Sequence, residues 1–207
     1  MMPSSKNRRR VEVPIYMHDR LVEIAESEDR TVANVLHELL FSSLFTYRPT
    51  WVPSKHLDTF NARARRTLDL AREEAVALGH DYIGTEHLFL GLLRDEGGIA
   101  AQALTALGLT LEQARTEVEA RIGRGQPLVG DALDYAPRAR KVLGLAMDEA
   151  QHLDSGYVRT EHILLGIVRD GGGIAADILD TAGVLGKVRG ETLTRLGQRA
   201  TQANIDN

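Results

Sequence analysis

Apolar and polar residues alternate at the start of the chain. Val11, Val13 and Ile15 fall on one side, and Arg10, Glu12, Pro14 and Tyr16 on the other. A period of two predicts a short half-buried strand. From His18 to Glu28 the spacing changes: Leu21, Ile24 and Ala25 mark one helix, Asp29-Arg30 a turn, and Thr31 an N-cap. The second helix turns Val32, Val35, Leu36, Leu39 and Leu40 inward. One strand and two short helices cannot close a core alone, so this segment is expected to pair with a second copy of itself. Tyr47 to Lys55 holds two prolines, Pro49 and Pro53, and little periodicity, which predicts a linker with Trp51 docked on a neighbouring surface.

Beyond the linker the pattern is helical and is written twice. Shifting the sequence by 75 positions aligns residues 70–104 with 145–179 at 19 identities in 35. Tyr82-Ile83-Gly84-Thr85-Glu86-His87 falls on Tyr157-Val158-Arg159-Thr160-Glu161-His162. Copy one predicts a long amphipathic helix from Phe60 to Leu78 closed by Gly79, and a second from Glu86 to Arg94 capped by Thr85. That second helix has no polar face and is expected at the centre. A third runs from Ile99 to Leu107, and Thr110-Leu111-Glu112-Gln113 is a capping box opening a fourth that ends at Ile122. Copy two repeats the plan, but Gly186 and Gly190 fall inside its last helix and mark it as the weakest element. Gly123 to Asp134 joins the copies. A duplicated unit of this length predicts a pseudo-symmetric pair, with a site doubled or built where the copies meet.

The chain has 207 residues, 43% apolar and 26% charged, ordinary for a globular protein. It has no cysteine, which excludes disulfides, thiolate metal sites and cysteine nucleophiles and suits a reducing cytoplasm. The basic start, Met1 to Arg10, lacks an apolar h-region, and no run of apolar residues is long enough for a membrane span. Residues 1–58 carry 8 basic and 8 acidic residues, so the net charge of −4 belongs to the remainder. Broad nucleic-acid binding is therefore not expected; any such contact rests on a local patch.

Ile83-Gly84-Thr85-Glu86-His87, Leu90-Gly91-Leu92 and Gly97-Gly98-Ile99-Ala100-Ala101 resemble the N-terminal domain of Clp-type AAA+ unfoldases of the ClpC kind. The second copy repeats the likeness in Thr160-Glu161-His162-Ile163-Leu164-Leu165-Gly166, and Gly123-Arg124-Gly125-Gln126 and Pro137-Arg138-Ala139-Arg140-Lys141-Val142-Leu143 extend it over residues 57–198. The resemblance implies a mainly α fold: a pseudo-twofold, duplicated four-helix domain over 59–199, with repeats at 60–123 and 135–198 and a tail at 200–207. The linker spans 46–58. Residues 8–45 resemble a ribbon-helix-helix segment of the Arc/CopG kind, a homodimer that lays a ribbon in the DNA major groove. Arg8, Arg9 and Arg10, with the helix start at Thr31, are the candidate DNA contacts. Glu12 and Pro14 suit a base edge poorly, so dimerisation is better supported than DNA binding.

The resemblance also implies sites. Domains of this family bind phosphorylated arginine at two equivalent places, where the motif glutamate holds the guanidinium and nearby Thr and Arg side chains take the phosphate, a charge-assisted arrangement. Carried onto this sequence, the candidates are Asn61, Arg63, Thr85 and Glu86 in copy one and Arg138, Thr160 and Glu161 in copy two. The family's Phe-Thr-x-Arg reads Phe60-Asn61-Ala62-Arg63 and Tyr135-Ala136-Pro137-Arg138 here, so both hydroxyls are replaced. Dipole complementarity alone also accounts for an acid in a first helical turn. His87 and His162 have no second ligand four residues on, and a capping or core role is expected rather than a metal. An inter-repeat groove bordered by Leu68, Tyr135, Arg140 and Leu143 is implied as the place where such domains take cyclic-peptide antibiotics and some adaptors, while a structural role for Tyr135 at the seam, matching Phe60 in copy one, fits the sequence equally well.

No cofactor is implied, and the sequence carries no Gly-x-x-x-x-Gly-Lys-[Ser/Thr] loop, so an ATPase is not expected. Three roles remain open. The leading one is a non-enzymatic receptor that sequesters ClpC ligands: phosphoarginine-tagged proteins, adaptors or cyclic peptides. A transcriptional regulator with a Clp-like sensor is the second, and an adaptor of the ClpC unfoldase the third.

Overall fold

The computed structural model describes residues 57–126 and 133–205. The ribbon-helix-helix reading of 8–45, with Arg8, Arg9, Arg10 and Thr31, lies outside the described residues, as does the linker up to His56, including Trp51. A 3-10 turn at Leu57–Thr59 opens the described part. Helices α1 (Ala62–Leu78), α2 (Thr85–Arg94), α3 (Ile99–Ala106) and α4 (Leu111–Ile122) form copy one. Helices α5 (Pro137–His152), α6 (Thr160–Asp170), α7 (Ile174–Thr181) and α8 (Leu185–Ile205) form copy two. Among the described residues no helix is long and apolar enough to cross a membrane.

The expected four-plus-four plan is present, with two corrections. The first helix starts at Ala62 rather than Phe60, because the Asn61 carboxamide oxygen accepts the Ala64 N–H at 2.8 Å and makes Asn61 the N-cap. Phe60 is left extended and 1% exposed, bridging in parallel to Val158. The repeats are also not wholly helical. Two-residue strands β1 (Tyr82–Ile83) and β2 (Asp134–Tyr135) pair in parallel, Tyr82 opposite Asp134 and Ile83 opposite Tyr135.

These short pairings exchange the two copies. The Asn61 N–H donates to the Val158 carbonyl at 2.9 Å, and the Val158 N–H to the Thr59 carbonyl at 2.8 Å. On the other side, the Ala136 N–H donates to the Ile83 carbonyl at 2.9 Å. The entrance to each copy's first helix is thereby stitched to the residues that precede the other copy's central helix. The same exchange appears at the far end, where α4 packs on α7 and α8 on α3. Arg121 of α4 donates to the Thr181 hydroxyl at 2.9 Å.

Helices α2 and α6 are central, as their lack of a polar face predicts. Leu88, Phe89, Leu90 and Leu92, with Ile163, Leu164, Leu165 and Ile167, are all 0% exposed. Burial of that apolar surface is the main favourable term. The last helix runs unbroken through Gly186 and Gly190, and a Cβ added at either would meet nothing within 4 Å. Each glycine costs helix stability through backbone entropy alone, so Gly186→Ala and Gly190→Ala should each stabilise the domain by about 0.8–1 kcal/mol in denaturant unfolding.

Candidate binding site at the junction of the two copies

Helices α2 and α6 open in the same way. Gly84 and Arg159 are the N-caps, so Thr85 and Thr160 are first helical residues rather than the caps the sequence suggests. The cap is made by the histidine three residues after each N-cap: the Gly84 N–H donates to His87 Nδ1 at 2.9 Å, and the Arg159 N–H to His162 Nδ1 at 3.0 Å. Both histidines are 1% exposed or less, which fulfils the expected capping and core role.

With the caps supplied by histidine, the glutamates are left to face something else. Glu86 is 3% and Glu161 2% exposed. Thr85 and Thr160 hydroxyls donate to one oxygen of each, at 3.4 and 3.2 Å. The other oxygen, Oε1 in both residues, is buried with no hydrogen-bond partner. Glu86 Oε1 lies 3.4 Å from His87 Nδ1, whose lone pair is already used by the Gly84 N–H. Burial pushes the Glu86 carboxyl above its ordinary pKa, opposed by hydrogen bonds from its own backbone, Thr85 and Tyr82. Other buried carboxylates of the domain are paired. Glu74 accepts from Arg115 at 2.9 and 2.5 Å, and Glu149 from Arg189 at 3.0 Å. An orphaned carboxylate oxygen is expensive to bury, and here it recurs at matching positions of the two copies.

The exchange of the copies decides which residues meet these glutamates. By sequence, Asn61 and Arg63 group with Thr85 and Glu86, and Arg138 with Thr160 and Glu161. The structure places them the other way. Asn61, Arg63, Arg159, Thr160, Glu161 and Arg199 line one pocket of about 250 Å³. Opposite it, Arg138 and Thr85 converge on Gly173: a Cβ there would lie 2.8 Å from Arg138 Cδ and 2.9 Å from Thr85 Oγ1. Gly98, its counterpart, would bring a Cβ to 3.0 Å from Thr160 Oγ1, and one at Gly97 would reach 2.5 Å from Arg63 Nη1. The glycine pairs 97–98 and 172–173 leave room for the threonine and arginine of each composite site.

Each arginine is oriented by an aspartate that the sequence reading did not single out. Arg63 Nη1 donates to Asp95 Oδ1 at 2.7 Å, and Arg138 Nη1 to Asp170 Oδ2 at 3.3 Å. Lys141 also lies 2.7 Å from Asp170. The signal was available in the repeat, where Arg-Asp recurs at 94–95 and 169–170. Arg159 and Arg199 were missed too; Arg159 breaks the repeat and Arg199 falls past its end. Neither makes a salt bridge among the described residues.

The expected inter-repeat groove does not gather its four residues on an open surface. Leu68, Tyr135 and Leu143 are 4, 8 and 0% exposed and belong to the shared core, while Arg140 pairs with Asp134. Their apolar side chains satisfy the seam between the copies, which is why a position at the repeat boundary reads as a surface in one dimension.

A family model described as the Clp repeat (R) N-terminal domain matches residues 59–182. The chain is 53% identical over 143 residues to "Negative regulator of genetic competence ClpC/MecB" of Bacillus subtilis, covering 69% of this chain and 18% of that protein. It is 51% identical over 146 residues to the chaperone protein ClpB of Oceanobacillus iheyensis, covering 70% and 18%. The chain thus spans under a fifth of the length of these curated relatives. The crystal structure of the N-terminal domain of the chaperone ClpD from Arabidopsis thaliana superposes with a TM-score of 0.55 at 25% identity, covering 68% of this chain and 99% of that one. The matched part of these proteins is a binding domain rather than their ATPase. Residues 59–182 and the exchanged pair of repeats they build place the chain in the Clp repeat N-terminal domain family.

Proposed function

We propose that this chain is a non-enzymatic receptor for phosphoarginine-tagged proteins, competing with ClpC-type unfoldases for that tag. One observation carries the reading: a buried carboxylate oxygen without a partner, on Glu161, lines the same pocket as Arg63, Arg159, Arg199 and Asn61. A cation acceptor beside anion donors in one small cavity suits a side chain carrying both charges, and a phosphorylated guanidinium has that form. Glu161, held by the Thr160 hydroxyl, accepts the guanidinium, while the arginines and the Asn61 carboxamide face the phosphoryl oxygens. Asn61 uses its oxygen as a helix cap, so its NH2 group is the part available to donate. As a decoy, the domain holds tagged chains away from the unfoldase.

Calorimetric titration of phosphoarginine into the intact chain tests this. Saturable binding that disappears in the Glu86→Ala/Glu161→Ala double variant is expected. Absence of binding, or binding undiminished in the double variant, overturns it. The decoy role is tested separately, by whether added chain slows degradation of an arginine-phosphorylated protein by ClpC and its peptidase.

A further inference from the structure

We propose that the two pseudo-equivalent sites are unequal: the site of Glu161, extended by Arg159 and Arg199, binds the anionic tag, and the site of Glu86 does not. This rests on the reading above and assigns it to one place. The two sites share an arginine on an aspartate, a threonine, a glycine pair and a buried glutamate. They differ in what surrounds these.

At the Glu161 site three arginines and one buried glutamate line the same pocket. Arg63 is held by Asp95, but Arg159 and Arg199 have no acidic partner among the described residues. Two uncompensated cations at the mouth of a cavity raise the local concentration of an anion and strengthen its hydrogen bonds. Position 159 is also the N-cap of α6, so the cationic side chain adds to the positive end of the helix.

At the Glu86 site the matching positions offer no uncompensated cation. Gly84 stands where Arg159 does, Ala136 where Asn61 does, and Arg124, at the position of Arg199, is paired with Glu119. Asp170 takes both Arg138 and Lys141, so the cations there are compensated. Tyr82 hydrogen-bonds Glu86, whereas its counterpart Tyr157 is 56% exposed. The Glu86 site therefore offers neutral hydroxyls and paired cations. Little remains there to attract a phosphoryl group.

Amide chemical shifts of the 15N-labelled intact chain, titrated with phosphoarginine and separately with inorganic phosphate, test the inequality. Phosphoarginine should saturate at one equivalent and shift the amides of Arg159 to His162. Arg159→Gly, which gives this site the residue already present at the other, should weaken binding about tenfold, the loss of one charge-assisted bond. Glu161→Gln should do the same or more, and Glu86→Gln should leave affinity unchanged. Two equal sites, or a Glu86→Gln loss matching that of Glu161→Gln, overturns the proposal. Shifts with phosphate but not phosphoarginine support the anion site and overturn the assigned tag. No shift with either probe overturns both.

Discussion

Replacing Gly91 by alanine is expected to destabilise the domain by about 3 kcal/mol, at the upper end of ordinary overpacking costs. A Cβ at Gly91 would lie 2.6 Å from the Thr67 carbonyl oxygen and 2.8 Å from the Ala71 nitrogen, both backbone atoms of α1. Helices α1 and α2 touch main chain to main chain here, with no side chain between to turn aside. To admit the methyl group the two helices must separate, loosening Ala64, Leu68 and Leu88 as well. Gly166 repeats the geometry in copy two, 2.6 Å from the Val142 carbonyl oxygen, and Gly166→Ala should cost a similar amount. Gly144→Ala provides the contrast. It lies within α5 with nothing within 4 Å of an added Cβ, so the same substitution should stabilise by about 0.8–1 kcal/mol. Denaturant unfolding of the three variants checks both signs; a neutral Gly91→Ala would show that the helices part freely.

Acidification should unfold the domain through a chain of neutral histidines found only in copy one. Because the Gly84 N–H donates to His87 Nδ1, the proton of the neutral ring is on Nε2, which donates to His80 Nδ1 at 2.9 Å. His80 then offers its Nε2–H to the Gly123 carbonyl at 3.2 Å, tying the start of the inter-copy connection back to the end of α1. A proton on either ring leaves a donor facing a donor. Burial, reinforced by the neighbouring His80, drives the His87 pKa down to about 3. Burial also lowers that of His80, against the Gly123 bond and the nearby Asp81.

The sign follows from linkage. Between the unfolded value of 6.5 and about 3, the unfolded chain binds more protons at position 87 than the folded one. The stability of the neutral ring is fully present above pH 6.5 and is lost as pH falls, by up to about 1.4 kcal/mol per pH unit. Glu86 acts in the opposite sense, since its raised pKa makes the folded state the better proton binder in its own range. The comparison that isolates the histidine is with His87→Asn, which keeps an acceptor for Gly84 and cannot be protonated. Wild type should lose stability steeply between pH 6.5 and 5, and His87→Asn should be weaker at pH 7 but flatter. Parallel curves would remove the histidine chain from the account.

The duplication made most of the fold legible. Helix periods, the central place of α2 and α6 and the family likeness all follow from local spacing repeated at a fixed shift. The capping role of His87 was legible too, because a histidine three residues past the N-cap reaches back to a free N–H. Thr85 as cap was not, since glycine and threonine are both good caps and only the histidine bond chooses between them. Asn61 read as a replaced ligand residue, and it is also the cap of α1.

What the sequence by itself determined is the inventory: eight helices in two copies, a glutamate and threonine at each central helix start, and an arginine at each first helix. Spacing along a chain encodes which face of a helix is buried, and that is enough for such a list. Which arginine meets which glutamate was decided only by the tertiary structure. The pairings of Phe60 with Val158 and of Ile83 with Tyr135 bridge residues 98 and 52 positions apart in the numbering, and no local pattern records them. Those backbone bonds satisfy short strands that have no partner within their own copy, so the copies exchange edges, and the site of each is completed by the other.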